Sequence, residues 1–126
     1  MQNKVILCLG SNKNCEENLE SAVTLLYAYF GSIRFSEAIY TEPIGLAGCG
    51  LFLNQMAVTA TEASLEEVKG VLKAMEKRLG RLAEDKQAGI IPIDIDLLLW
   101  NETILKPADW EKEYVQQLFR SLADSD

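Results

Sequence analysis

The residues best suited to chemistry in this chain are Asp94 and Asp96, two acids planted in the otherwise apolar run Ile93-Asp94-Ile95-Asp96-Leu97-Leu98-Leu99-Trp100. Strand side chains alternate between faces, so both carboxylates share one face with Leu98, while Ile93, Ile95, Leu97 and Leu99 take the other. Two like charges this close resist ionising together unless a cation or a proton sits between them. A hard divalent ion meets that need. Magnesium is commonly held by one or two carboxylates and completes its octahedron with water and phosphate oxygens. A solvated strand face can also carry alternate acids, but this run is as apolar as a central strand, where unpaired Asp is rare.

Composition narrows the chemistry further. The chain has no histidine, which excludes His-based metal sites, Ser-His-Asp triads and Cys-His pairs. Acid and base work falls to carboxylates, Lys, Tyr or water. Cys8, Cys15 and Cys49 match no zinc or redox spacing and read as ordinary thiols of a reducing compartment. A net charge of -7 argues against a nucleic-acid surface, which needs clustered Lys and Arg, and counts somewhat against any polyanionic ligand. No apolar run approaches the roughly 20 residues of a membrane span. Met1-Gln2-Asn3-Lys4 leads into a strand without a signal-peptide pattern, so a cytoplasmic protein is expected. With 126 residues and 48% hydrophobic content, one domain with a substantial core is expected over residues 1–126.

The elements that must position the acids can be read in order. Val5-Ile6-Leu7-Cys8-Leu9 is a buried first strand that Gly10-Ser11-Asn12 ends. Asn14 stands as an N-cap before Glu16 and Glu17. Leu19, Val23, Leu26 and Phe30, flanked by Ala22, Leu25 and Tyr29, then follow a helical period as far as Gly31. Ser32 to Tyr40 alternates as a second strand, and a turn-rich loop runs from Thr41 to Gly50. Phe52 to Thr61 is a third strand with Met56, Val58 and Ala60 on one face. Ser64-Leu65-Glu66-Glu67 is a capping box. Val68, Val71, Leu72, Met75 and Leu79 supply the stripe of a second helix that stops near Gly80. Leu82 to Pro92 is a long irregular connection into the acid-bearing strand, a length often functional in a small domain. Asn101-Glu102 makes a turn, and Trp110, Tyr114, Leu118 and Leu122 predict a final helix from about Asp109.

The order strand, helix, strand, strand, helix, strand is the split βαβ arrangement. It predicts an α+β domain, a ferredoxin-like antiparallel sheet (βαββαβ) with helices on one face and a C-terminal helical appendage. Right-handed crossovers put both helices on the same side and leave the other face for a ligand.

Several motifs, in this order and spacing, carry a family resemblance from about residue 4 to about residue 119. They are Leu9-Gly10-Ser11-Asn12, Tyr40-Thr41-Glu42-Pro43-Ile44-Gly45, Phe52-Leu53-Asn54, Glu76 with Leu79-Gly80-Arg81, and Ile93 to Leu99. Together the chain resembles 6-hydroxymethyl-7,8-dihydropterin pyrophosphokinase, the folate-pathway enzyme that moves a pyrophosphoryl group from ATP to a reduced pterin. The resemblance implies that Asp94 and Asp96 bind Mg2+. It implies that Thr41, Glu42, Pro43, Ile44, Phe52 and Asn54 form a pterin pocket, with Tyr114 where the family usually has a second stacking phenylalanine. Glu76, Arg81 and Lys112 are implied on the nucleotide side, and Asp94, Asp96 and Arg81 as the catalytic set. A flat heterocycle fits between Phe52 and Tyr114, and the Asn54 amide offers its edge a donor and an acceptor.

The chain departs from the family in its basic residues. Where the family pattern resembles Arg-x-Arg and then Arg-Trp-Gly-Pro-Arg-Thr, this chain has Arg81, Ala83, Gln87, Ala88, Gly89, Ile90, Ile91 and Pro92. Downstream, Ala108 follows Pro107, Trp110 stands at the second histidine position, and Lys112 is the basic survivor. Lys4, Lys73, Lys86 and Lys112 are the lysines that could compensate, without the bidentate fork of Arg. Loss of a phosphate-neutralising arginine can cost on the order of 10³-fold in rate, which implies attenuated transfer. The alternative reading is a catalytically silent pterin-binding or interaction module of the same fold.

Overall fold

The structure is a computed structural model, described over residues 2–42, 51–82 and 89–124. Its elements are β1 (Asn3–Ser11), α1 (Cys15–Phe30), β2 (Ile33–Thr41), β3 (Phe52–Thr61), α2 (Leu65–Arg78), β4 (Asp94–Trp100) and β5 (Thr103–Ile104), followed by α3 (Pro107–Trp110) and α4 (Glu113–Asp124). The sheet is antiparallel throughout, in the order β2-β3-β1-β4-β5. Four strands and two helices therefore have the expected split βαβ topology, and the short β5 adds an edge hairpin at the Asn101-Glu102 turn. No helix among the described residues is long and apolar enough to cross a membrane.

Alternation along β1 builds both layers. Val5, Leu7 and Leu9 pack beneath Leu19, Ala22 and Leu26 of α1 and Val68, Leu72 and Met75 of α2. Ile93, Ile95 and Leu97 complete that core. Each such aliphatic side chain contributes on the order of 1.5–3 kcal/mol by leaving water. Ile6, Cys8, Met56 and Leu98 face the other way and meet Val115, Leu118 and Leu122 of α4. The sheet face expected to be free is thus partly roofed by the C-terminal helix, because three apolar residues at helical spacing need a surface to cover.

Local chemistry sets the boundaries, with some corrections. β1 runs two residues past Leu9: Gly10 and Ser11 stay paired with Asn54 and Leu53, and the turn begins at Asn12. Asn14 occupies the N-cap position of α1 but is left-handed (φ 45°) and makes no side-chain cap bond. Ser64 does cap α2, its hydroxyl accepting from Glu67 N at 3.2 Å. The final helix is two pieces, α3 and α4, with Pro107 opening the first. Leu99 was expected on the face of Ile93, but a bulge between Ile6 and Leu7 makes Leu98 an extra residue of β4. Leu99 consequently joins the α4 side and Trp100 the α1 and α2 side. The turn-rich loop expected from Thr41 to Gly50 gives up Thr41 to β2 through its pairing with Phe52, and its residues 43–50 lie outside the described residues, as does most of the connection after α2, at 83–88.

Candidate active site

Asp94 and Asp96 open from β4 into a cleft of about 860 Å³ on the α4 side of the sheet. That size is typical of small-molecule sites. Its floor comes from the even positions of β1 and β3: Cys8, Gly10, Phe52 and Asn54. Ile39 and Thr41 of β2 form one wall, and Asp109, Lys112 and Tyr114 of the C-terminal elements form another.

The polar end is held by a chain of ion pairs. Arg81 Nη1 lies 2.6 Å from Asp94 Oδ1 and 2.8 Å from Glu76 Oε2. Glu76 Oε2 also accepts from Ile95 N at 2.8 Å, which ties the end of α2 to the acid strand. Gly80 makes this possible. Its φ of 96° reverses the chain so that Arg81 N donates to Glu76 O at 3.0 Å, a turn costly for any residue with a Cβ. Burial works against the Arg81 charge, but the Asp94 hydrogen bond and charge, with Glu76 and Asp96 behind them, raise its pKa overall.

Asp96 has a different cation. Lys106 Nζ sits 2.7 Å from Asp96 Oδ1. The Asp96 carboxyl is nevertheless pushed up to about 6, first by burial, then by the charge of Asp94 and a hydrogen bond between the two acids. Lys106 pulls it back only in part. The Lys106 ammonium is raised in turn: burial opposes its charge, and the Asp96 hydrogen bond and charge outweigh that.

The other end of the cleft is neutral. Asn54 is buried and its Nδ2 donates to Thr41 Oγ1 at 2.6 Å, which orients the amide. Gly10 lies directly beneath: a Cβ there would come within 3.3 Å of Asn54 Oδ1 and 3.8 Å of the Phe52 ring. Burial, followed by Asp96, Asp94 and Asp109, pushes the Cys8 thiol up to about 12, so it floors the cleft as an uncharged group. Burial and then Cys8, Asp109, Asp96 and Asp94 likewise raise the Tyr114 phenol. Phe52 and Tyr114 both line the cleft without stacking on each other.

Asn12 connects the sheet to the acid strand. It donates from Nδ2 to Gly89 O at 2.5 Å, accepts from Ile91 N at 2.6 Å through Oδ1, and its own N donates to Ile91 O at 2.9 Å. One amide therefore fixes the backbone entering β4.

Of the residues singled out from sequence, Thr41, Glu42, Phe52, Asn54, Arg81, Asp94, Asp96, Lys112 and Tyr114 all line this cleft. Glu76 stands behind Arg81 rather than on the cleft surface. Pro43, Ile44, Ala83, Lys86, Gln87 and Ala88 lie outside the described residues. Trp110 packs on Phe119, ring centroids 5.2 Å apart, within the α4 layer. Lys106 was missed, as were Asn12, Cys8 and Asp109. The compensating lysines proposed from sequence included Lys4 and Lys73, which do not line the cleft. Lys112 does, but pairs with Asp109 at 2.9 Å. A Lys directly before a proline that opens a helix was the one signal for Lys106, and it is weak.

Fold and cleft define a class, an α+β protein whose paired acids open onto a ligand-sized pocket with an amide and two aromatic rings. Comparison with known proteins gives the particular family. The profile of 7,8-dihydro-6-hydroxymethylpterin-pyrophosphokinase (HPPK) matches residues 6–124, and the chain belongs to that family of ATP-dependent pyrophosphokinases of folate biosynthesis. A folate synthesis bifunctional protein of Arabidopsis thaliana is 30% identical over 122 residues, covering 89% of this chain. This chain spans only 25% of that protein's length. A 2-amino-4-hydroxy-6-hydroxymethyldihydropteridine pyrophosphokinase of Porphyromonas gingivalis is 28% identical over 133 residues, covering 94% of this chain and 90% of its own.

Proposed function

We propose that this chain acts as a single pyrophosphokinase-like domain that transfers the pyrophosphoryl group of ATP to 6-hydroxymethyl-7,8-dihydropterin in the cytoplasm. The observation that carries this reading is the shared cleft: the acid pair of β4 and the Phe52, Asn54 and Thr41 group of β2 and β3 open onto one space.

Asp94 and Asp96 suit Mg2+ as a donor set. Both carboxylates open into the same cleft from one face of β4. No group of three or more His, Cys, Asp or Glu that could hold a metal occurs among the described residues. Two carboxylates with water and substrate phosphates are what magnesium ordinarily takes. When bound there, the ion supplies charge neutralisation on the phosphate oxygens.

The remaining work belongs to the side chains. Phe52 and Tyr114 take the faces of the pterin ring, the Asn54 amide reads its edge, and Thr41 and Glu42 border it. Arg81, steadied by Glu76, and Lys112 face the nucleotide. The pterin hydroxymethyl oxygen forms a bond to the β-phosphorus as the bond from that phosphorus to the α–β bridging oxygen breaks. AMP departs and the hydroxyl proton passes to solvent. Positioning of the two substrates supplies most of the acceleration.

The test is turnover with Mg2+, ATP and 6-hydroxymethyl-7,8-dihydropterin, following AMP by chromatography. Pterin-dependent AMP is the expected result. Its absence, from folded protein that still binds pterin, supports the second reading, a silent pterin-binding module. One observation favours that alternative: Arg81 and Lys106 already neutralise the acid pair, so the acids do not need a metal to be tolerated.

A further inference from the structure

We propose that Lys106 is a phosphate-contacting residue of the nucleotide site, parked on Asp96 until Mg-ATP engages the acid pair and then turned onto a phosphate oxygen. This rests on the nucleotide reading above.

Three cations line the cleft among the described residues, and their tethers differ. Arg81 is bound to Asp94 and Glu76 and touches Ile93 O at 3.4 Å. Lys112 is paired with Asp109 one helical turn away, a partner that no metal claims. Of the three, Lys106 alone has as its ion-pair partner only an acid that a metal would occupy. Once Asp96 turns to a metal, the lysine loses its partner at the moment a polyphosphate arrives beside it.

The backbone is prepared for that exchange. Leu105 N donates to Leu98 O at 2.8 Å, and Trp110 N donates to Lys106 O at 2.9 Å. Pro107 keeps Lys106 extended, at φ -132°. The main chain is therefore fixed on both sides while the side chain, 46% exposed, is free to rotate about its four-carbon stem.

Electrostatics supply the need. Acids outnumber cations along the cleft, and a triphosphate entering it requires every positive group available. A lysine here restores some of the charge that the missing arginines of the preceding loop would have carried, as a point charge instead of a fork.

The test is calorimetric titration with the Mg complex of α,β-methylene ATP, which cannot be cleaved at the reacting bond. Lys106→Met should weaken binding by about tenfold or more, and Lys106→Arg should recover most of it. Lys73→Met, the same charge loss on an exposed face of α2, should stay within about twofold. Pterin affinity should be unchanged in Lys106→Met, which also shows that the fold is intact. If Lys106→Met binds the analogue as tightly as the parent protein, the proposal fails while the nucleotide reading stands. If the parent binds pterin but not the analogue, the nucleotide reading fails and takes this proposal with it.

Discussion

On β1, Val5, Leu7 and Leu9 are sealed beneath α1 and α2, whereas Ile6, Cys8 and Gly10, one residue along, face α4 and the cleft. The two faces of one sheet are finished in opposite ways. The first is covered by apolar side chains of two helices. The second is covered only where Val115, Leu118 and Leu122 reach, and beyond them the polar groups are held in pairs: Asn54 with Thr41, Asp94 with Arg81, Asp96 with Lys106. Among the described residues no buried side-chain nitrogen or oxygen lacks a hydrogen-bond partner. The contrast separates two demands. A core excludes water and tolerates no gap, while a site keeps a gap and must satisfy its polar rim without a ligand.

If the division is real, changes on the two faces should have different symptoms. The largest effect is expected from Asp94→Asn or Asp96→Asn. Pterin-dependent AMP formation should fall on the order of 10³-fold, with a melting temperature unchanged or raised, because one of two adjacent like charges is gone. A comparable loss of melting temperature would make these acids part of the structural core and erase the distinction. The opposite symptom is expected from Leu7→Ala, which should cost about 3 kcal/mol in denaturant unfolding. Its pterin affinity, measured well below the melting point, should stay near that of the parent protein.

A smaller effect concerns pH. Asp96 titrates near 6 in the folded protein without metal and ordinarily near 3.8, so the folded state binds its proton more tightly. The associated stabilisation is complete below about 3.8 and is lost as pH rises through about 6. In chelator, unfolding titrations between pH 4 and 7 should therefore show a decline on the order of 2 kcal/mol relative to Asp96→Asn. A parent protein whose pH dependence parallels that of the variant would place Asp96 in an ordinary solvated setting.

Much of this was legible before the fold was known. Val5 to Leu9 and Phe52 to Thr61 show strand patterning, the Ser64 capping box marks the start of α2, and Asp94 and Asp96 stand out against an apolar run. These features are local: they follow from side-chain direction within a few residues. The family motifs extended that reading to Thr41, Asn54 and Arg81, which do meet in one cleft. The reading failed where a contact joined distant segments. The bulge at Leu98 redirects Leu99 and Trp100, and nothing in their own residue types announces it. α4 is the expected C-terminal helix, but its amphipathic stripe reveals only that it must pack and not on which surface.

The charge balance of the site divides in the same manner. That two acids on one face require neutralisation is dictated by the sequence, since alternation on a strand places them together whatever surrounds them. Which cations answer is a tertiary matter. Arg81 reaches Asp94 because Gly80 folds the end of α2 back onto β4, and Lys106 reaches Asp96 because the β5 hairpin returns the chain beside the same strand. Coulombic pairing acts over a few ångströms of space, and along the chain those ångströms correspond to 13 residues in one case and 10 in the other.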